Sequence, residues 1–225
     1  MNGTTDPGTG DIAVHVVDDD PAIRDSLAWL LTSCGLLVTV WASGEDFLAA
    51  WSAAMRGCVV LDVRMGGLSG LDVLARLAAA GSLLPVIVLT GHGDVPLAVR
   101  SLKHGAFDFM EKPFDPAELT ARVRAALDLE TRRHADHLQA RDLHARLDSL
   151  SPREREVMEL MLGGSLNKQI ADEIGIALRT VELHRARILE KFAVRSAVEL
   201  AGRLAEVRRD ERRGGAPEAG DPFAD

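Results

Sequence analysis

From residue 12 onward the chain alternates short apolar runs with amphipathic stretches. Runs at 12–17, 36–41, 57–61, 84–89 and 106–110 are nearly continuous in apolar residues, as strands covered on both faces must be. Between them the apolar positions recur at helical spacing. Ile23, Leu27, Leu30 and Leu31 share one face of residues 21–34, where Pro21 is tolerated in the first turn and Gly35 suits the helix end. Ser43 is placed to cap a helix holding Phe47 and Leu48, Ser69 one holding Leu71 and Leu74, and Asp94 one holding Leu97, Val99 and Leu102. Residues 115–129 make a fifth helix. The pattern predicts an α/β doubly wound domain over residues 11–128, a five-stranded parallel sheet with helices on both faces.

The rest of the chain changes character. Residues 129–148 are charged, lack Gly and Pro, and are expected to continue the fifth helix as a linker. Leu138, Leu143 and Leu147 occur there at mixed spacing, which reads as a solvated face, with a weak dimer seam as the alternative. Residues 149–207 predict a small all-α unit of four helices. Ser151-Pro152-Arg153-Glu154 is a capping box, and Val157, Leu160 and Met161 follow at core spacing. Gly163-Gly164 ends that helix, residues 167–174 form a short second one, Gly175 turns the chain, and residues 178–192 and 196–207 form the third and fourth. Residues 1–10 and 208–225, rich in Gly, Pro and charge, are expected to be disordered.

Composition narrows the class. A length of 225 residues suits two domains, and 47% hydrophobic with 27% charged residues suits a soluble globular protein. The net charge of −8 is unevenly spread: residues 11–126 hold 14 acids and 9 bases, and residues 149–209 hold 9 acids and 11 bases. Only the second half suits nucleic acid. The N-terminus has neither a basic nor an apolar targeting region, and the most apolar stretch, residues 27–42, is shorter than the roughly 20 residues a span requires. A cytoplasmic location without membrane partners is expected. Cys34 and Cys58 lie in apolar patterns, as small core residues do, without metal-ligand spacing.

The chemistry gathers at the strand ends. Asp18, Asp19 and Asp20 end the first apolar run, Asp62 the third and Thr90 the fourth, while Lys112 follows the fifth. On adjacent parallel strands these ends form one rim, where open α/β sheets bind ligands. Asp18, Asp19 and Asp62 would repel one another unless a cation intervened, and hard oxygen donors suit Mg²⁺. A carboxylate beside a cation and a lysine can accept a phosphoryl group, with Thr90 bonding its oxygens. Asp20, next to Pro21, is placed to cap the first helix.

The stretches VHVVDDDPAIRDSL, VVLDVRMGGLSGLDVL, PVIVLTGHGD and GAFDFMEKPF resemble the receiver domain of two-component response regulators, over about residues 11–128. The resemblance implies that Asp62 is the phosphoacceptor. Asp19, Asp62 and the Arg64 carbonyl would bind Mg²⁺, with Asp18 acting mainly through a bound water. It further implies that Thr90 and Phe109 form a switch pair and that Lys112, before a cis Pro113, contacts the phosphoryl group. Met65-Gly66-Gly67 departs from the family's usual Met-Pro-Gly, which is expected to loosen that loop.

In the second unit, short helices around the Gly175 turn fit a helix-turn-helix whose third helix is basic through Arg179, Arg185, Arg187 and Lys191. SPREREVMELMLGG, NKQIADEIGI and RTVELHRARILEKF resemble the LuxR-type output domain of the NarL/FixJ subfamily. The resemblance implies that Glu182, Leu183 and Ala186 face base edges and that Lys168, Arg179, Thr180, His184, Arg187 and Lys191 lie near phosphates. Where the family commonly has Ser-Pro, this chain has Ala177-Leu178, which removes an N-cap side chain.

The reading is a phosphorylation-activated transcription regulator rather than an enzyme, with slow autodephosphorylation as its only turnover. Expected partners are a sensor histidine kinase, double-stranded promoter DNA, a second copy on phosphorylation, and RNA polymerase as a further candidate. A dimer face is expected around Arg100, Lys103, Asp108 and Arg122. One rival is an aspartate-based phosphohydrolase, but Arg64 stands where such enzymes carry a second acid. The other is a ligand-responsive DNA-binding protein, which would not require Asp19, Asp62, Thr90 and Lys112 together.

Overall fold

The structure, a computed structural model, describes residues 11–91 and 102–214. The Asp94-capped helix and Arg100 therefore lie outside the described residues, as do the two terminal segments 1–10 and 215–225. The chain forms two compact units, Met1–His134 and Ala135–Asp225.

In the first unit, β1 (Ile12–Val17), β2 (Val38–Trp41), β3 (Arg56–Asp62), β4 (Val86–Thr90) and β5 (Asp108–Glu111) form one sheet in the order β2-β1-β3-β4-β5. Every pairing is parallel. The helices α1 (Pro21–Ser33), α2 (Gly44–Ala50) and α3 (Gly70–Ala79) start at Asp20, Ser43 and Ser69, each accepting a backbone N–H two or three residues on. Asp20 is thus the cap expected of it. Alternate residues along each strand face opposite sides, so the sheet carries two cores. Val14, Val16, Cys58, Val60, Ile87 and Leu89 pack with Leu27 and Leu31 of α1 and with Leu119 and Val123 of α4 (Pro116–Asp148). Val17, Val59, Leu61 and Val88 pack on the other face with Phe47 of α2 and Val73, Leu74 and Leu77 of α3. Cys58 is fully buried and its thiol is pushed up to about 12, chiefly by burial, which agrees with a core role; Cys34 is half-buried.

Gly70 positions the rim. A Cβ there would stand 2.2 Å from the Asp62 carbonyl, so only glycine lets α3 begin directly beside the end of β3. At the opposite end of the sheet Arg56 donates through Nε and Nη2 to Glu130, which is 1% exposed and ties α4 to the start of β3.

In the second unit, α5 (Pro152–Leu162), α6 (Asn167–Ile174), α7 (Leu178–Lys191) and α8 (Ala197–Gly214) surround Val157, Met161, Ile170, Val181, Ile188, Phe192 and Leu200. The capping box at Ser151 is present in both directions. Gly175 adopts φ 67°, the left-handed conformation that turns α6 toward α7.

Two expectations need correction. Leu143 and Leu147 join the core of this unit, so the face read as solvated is open to solvent only at Leu138, which is half exposed. Helix α8 runs to Gly214 instead of stopping at 207, so residues 208–214 are helical rather than disordered. That segment, RRDERRG, is built mostly of residues with good helix propensity, and its first breaker is Gly214 at its end, followed in sequence by Gly215.

Candidate functional site

The carboxyl ends of β1, β3, β4 and β5 bring the predicted rim together. Asp18 follows β1 and is 1% exposed, Asp62 ends β3 at 7%, and Thr90 ends β4 at 3%. Lys112, just past β5, is held by its backbone N–H to the Thr90 carbonyl at 2.7 Å. Its ammonium reaches Asp62 Oδ1 at 2.6 Å and Asp18 Oδ2 at 2.8 Å. The Lys112-Pro113 peptide is cis, as expected. Asp18 Oδ1 accepts the Asp20 N–H at 2.9 Å, so both of its oxygens are engaged, and Arg24 Nη1 binds the Asp18 carbonyl at 2.6 Å.

Burial raises the Asp62 carboxyl above its ordinary range, and the neighbouring Asp18 charge adds to it; hydrogen bonds from Lys112 and the Arg64 backbone, with the lysine charge, oppose the rise. For Lys112, burial favours the neutral amine, yet the two carboxylates outweigh it and the ammonium is held above its ordinary value. A buried carboxylate made more basic than usual, with a fixed cation beside it, is equipped to bond an electrophile.

Asp19 stands apart from this cluster. It is exposed, and its Oδ2 accepts the Gly66 N–H at 2.8 Å. Among the described residues no three His, Cys, Asp or Glu side chains are close enough to share a metal ion. The donor chemistry nonetheless fits a small divalent cation. Asp18, Asp19 and Asp62 against Lys112 leave an excess of negative charge on a rim of hard oxygen donors.

The expected switch pair lies on adjacent strands. The Thr90 hydroxyl donates to the Gly91 carbonyl at 3.3 Å, a weak bond easily exchanged. Phe109 is half-buried and packs against the core that holds Val59 and Val88. Asp108 and Arg122, expected on a dimer face, pair with each other at 2.5 Å, while Arg122 also binds Glu118 at 2.6 Å. Lys103 is exposed.

On α7 the core side is Val181 and Ile188, and the outer side presents Arg179, Glu182, Leu183, Ala186, Arg187 and Glu190. At 100° per residue these six fall within one continuous face. Thr180 and His184 flank it half-buried, and Lys168 is exposed on α6. Leu183, 50% exposed at the centre, is an apolar group offered to solvent. No side chain caps α7 at Ala177, and of its first N–H groups that of Thr180 donates to the Ala177 carbonyl at 2.9 Å.

Lys191 has a role the sequence did not reveal. Its ammonium binds Glu154 Oε2 and the Ser149 carbonyl, both at 2.8 Å, which engages two of its three donors. Glu45 was also missed. Its Oε1 accepts the Leu68 N–H at 2.8 Å and pins the loop beyond β3 two residues past the Asp19 contact. No local pattern marks either contact, since the partners lie 37 and 23 residues apart.

Comparison with known proteins agrees with this division. Residues 14–124 match a family model described as the response regulator receiver domain, and residues 148–204 match one for bacterial regulatory proteins of the luxR family. The transcriptional regulatory protein FixJ of Azorhizobium caulinodans is 49% identical over 189 residues, covering 84% of this chain and 90% of its own. The C4-dicarboxylate transport transcriptional regulatory protein DctR of Rhodobacter capsulatus is 50% identical over 190 residues, covering 84% and 96%. Among solved structures, the response regulator StyR superposes with a TM-score of 0.80 at 38% identity, covering 86% of this chain and 98% of that one. Full-length FixJ from B. japonicum gives 0.53 at 43% identity, covering 89% and 99%.

Proposed function

The chain belongs to the response regulators that join a receiver domain to a LuxR-type DNA-binding domain, and on that premise we propose that Asp62 takes a phosphoryl group from a sensor histidine kinase and thereby controls promoter binding. The observation that carries this reading is the Lys112 ammonium seated between Asp62 and Asp18. In the transfer, an Asp62 carboxylate oxygen bonds to phosphorus as the bond from phosphorus to the kinase imidazole nitrogen breaks, and that electron pair returns to the ring. Lys112 stays beside the new group and offsets part of the added charge of about −2. The Thr90 hydroxyl leaves the Gly91 carbonyl for a phosphoryl oxygen, and Phe109 repacks into the space it vacates. Asp19, Asp62 and the Arg64 carbonyl would hold Mg²⁺, with Asp18 acting through water; when bound, the ion neutralises phosphoryl oxygens.

The repacked receiver pairs with a second copy, which sets two α7 helices on adjacent half-sites. Glu182, Leu183 and Ala186 face the bases. Lys168, Arg179, Thr180, His184 and Arg187, with the free donor of Lys191, lie toward phosphates. Moving the population from 1:99 to 99:1 requires about 5.5 kcal/mol of differential stabilisation. The protein turns over nothing but its own phosphoryl group, and its place of work is the cytoplasm, where promoter DNA is found.

A kinase-to-regulator transfer assay tests the first step. Asp62→Asn should abolish labelling, and undiminished labelling would remove Asp62 as the acceptor.

A further inference from the structure

We infer that the backbone N–H of Gly66 latches Asp19 away from the acidic pocket and thereby lowers the pocket's affinity for a divalent cation. The inference rests on the proposed role of Asp19 as a ligand. The bond runs from Gly66 N–H to Asp19 Oδ2 at 2.8 Å, across 47 residues of sequence. It ties the carboxylate to the loop beyond β3, whereas Asp18 and Asp62 bind Lys112, and the three carboxylates are not gathered closely enough to share an ion.

The loop cannot drift from this position easily. Glu45 Oε1 holds the Leu68 N–H at 2.8 Å, and Gly67 between the two anchors adopts φ 82°. Two carboxylates thus grip alternate backbone donors of one short segment. The bond fixes the orientation of the Asp19 carboxylate, and in that orientation Asp18, Asp19 and Asp62 are not close enough to share an ion, so Asp19 must turn and give up this bond to reach a cation held at Asp62. Only a residue with a backbone N–H can form this latch. Proline, usual at this position in the motif that the loop resembles, has none. The Met65-Gly66-Gly67 departure therefore adds a specific donor, and loop flexibility is not its main effect.

Two substitutions at residue 66 separate these effects. An added Cβ meets only Asp19 Oδ2, at an ordinary 3.7 Å, and residue 66 is outside the left-handed region, so alanine fits and keeps the N–H. Gly66→Ala and Gly66→Pro both stiffen the loop, but only Gly66→Pro removes the donor. Mg²⁺ alone is titrated into the full chain by calorimetry. Gly66→Pro should bind about three- to ten-fold more tightly than the parent, while Gly66→Ala stays within about twofold. If Gly66→Pro binds no more tightly than Gly66→Ala, or more weakly, the latch is overturned.

A metal-free readout accompanies it. Amide hydrogen exchange at Gly66 should quicken severalfold in Asp19→Ala, and an unchanged rate overturns the latch. In the same titration, parent-like Mg²⁺ affinity in Asp19→Ala would instead remove Asp19 as a ligand, which is a separate failure. Should Gly66→Pro not fold, Glu45→Ala takes its place. Freeing Leu68 loosens the loop that carries Gly66 and should raise Mg²⁺ affinity about twofold and quicken exchange at Gly66, and the absence of either change overturns the proposal.

Discussion

Replacing Glu154 by glutamine should weaken the DNA-binding unit while leaving the receiver untouched. Glu154 Oε2 accepts the Ser151 N–H at 2.9 Å and the Lys191 ammonium at 2.8 Å. Those contacts, the lysine bond first and the Ser151 backbone bond second, hold its carboxyl at about 2, against an ordinary 4.5. Carried entirely by the folded state, that difference has an upper bound of about 3 kcal/mol. The Lys191 side chain is 34% exposed, so solvent screens the pair, and glutamine keeps neutral hydrogen bonds. The expected loss at pH 7 is therefore about 1–2 kcal/mol.

The sign of the pH dependence follows from the depressed carboxyl. Its contribution is complete above pH 4.5 and fades as pH falls toward 2, so parent and variant should converge across that interval. Urea unfolding of the full chain separates the units. All three tryptophans, Trp29, Trp41 and Trp51, lie in the first unit, so fluorescence follows the receiver and far-ultraviolet circular dichroism follows both. Glu154→Gln should shift only the dichroism transition. An equal shift in fluorescence, or a gap as large at pH 3 as at pH 7, would refute the reasoning.

Gly70→Ala drives a Cβ to 2.2 Å from the Asp62 carbonyl and should cost at least about 2 kcal/mol in the fluorescence-detected transition, with slower phosphoryl acceptance. Conversely, Ala177→Ser restores a cap to α7 and should stabilise the dichroism-detected transition by about 1 kcal/mol. Arg187→Ala should weaken DNA binding evenly across sequences and lower the salt slope by about 1 in fluorescence anisotropy, whereas Glu182→Ala should alter base preference at one position of a selected-site library.

The parts of the fold written locally in the sequence were legible there. Strand and helix periodicities placed β1 exactly as observed at Ile12–Val17, and the starts of α1, α2 and α3 followed from the single capping residues Asp20, Ser43 and Ser69. The acidic rim was legible for the same reason, because Asp18, Asp62 and Thr90 each end an apolar run. Boundaries without a strong breaker were harder: RRDERRG carries charge like a disordered tail and helix propensity like α8, and the propensity prevails. Partner choice was hidden altogether. That Lys191 turns to Glu154, Asp19 to Gly66 and Glu45 to Leu68 depends on side chains brought together by the tertiary fold, which no periodicity encodes.

Coupling between the Asp62 pocket and the α7 face is the central claim, and one titration reaches it directly. Affinity of the full chain for its own promoter DNA is measured at fixed salt with Mg²⁺, with and without acetyl phosphate, for the parent and for Asp62→Asn. The account predicts that the phosphoryl donor tightens binding by the parent at least about tenfold, as 1.4 kcal/mol of coupling gives, and leaves Asp62→Asn unchanged. Equal tightening of both proteins, or a parent that carries the phosphoryl group yet binds DNA no better, would contradict it.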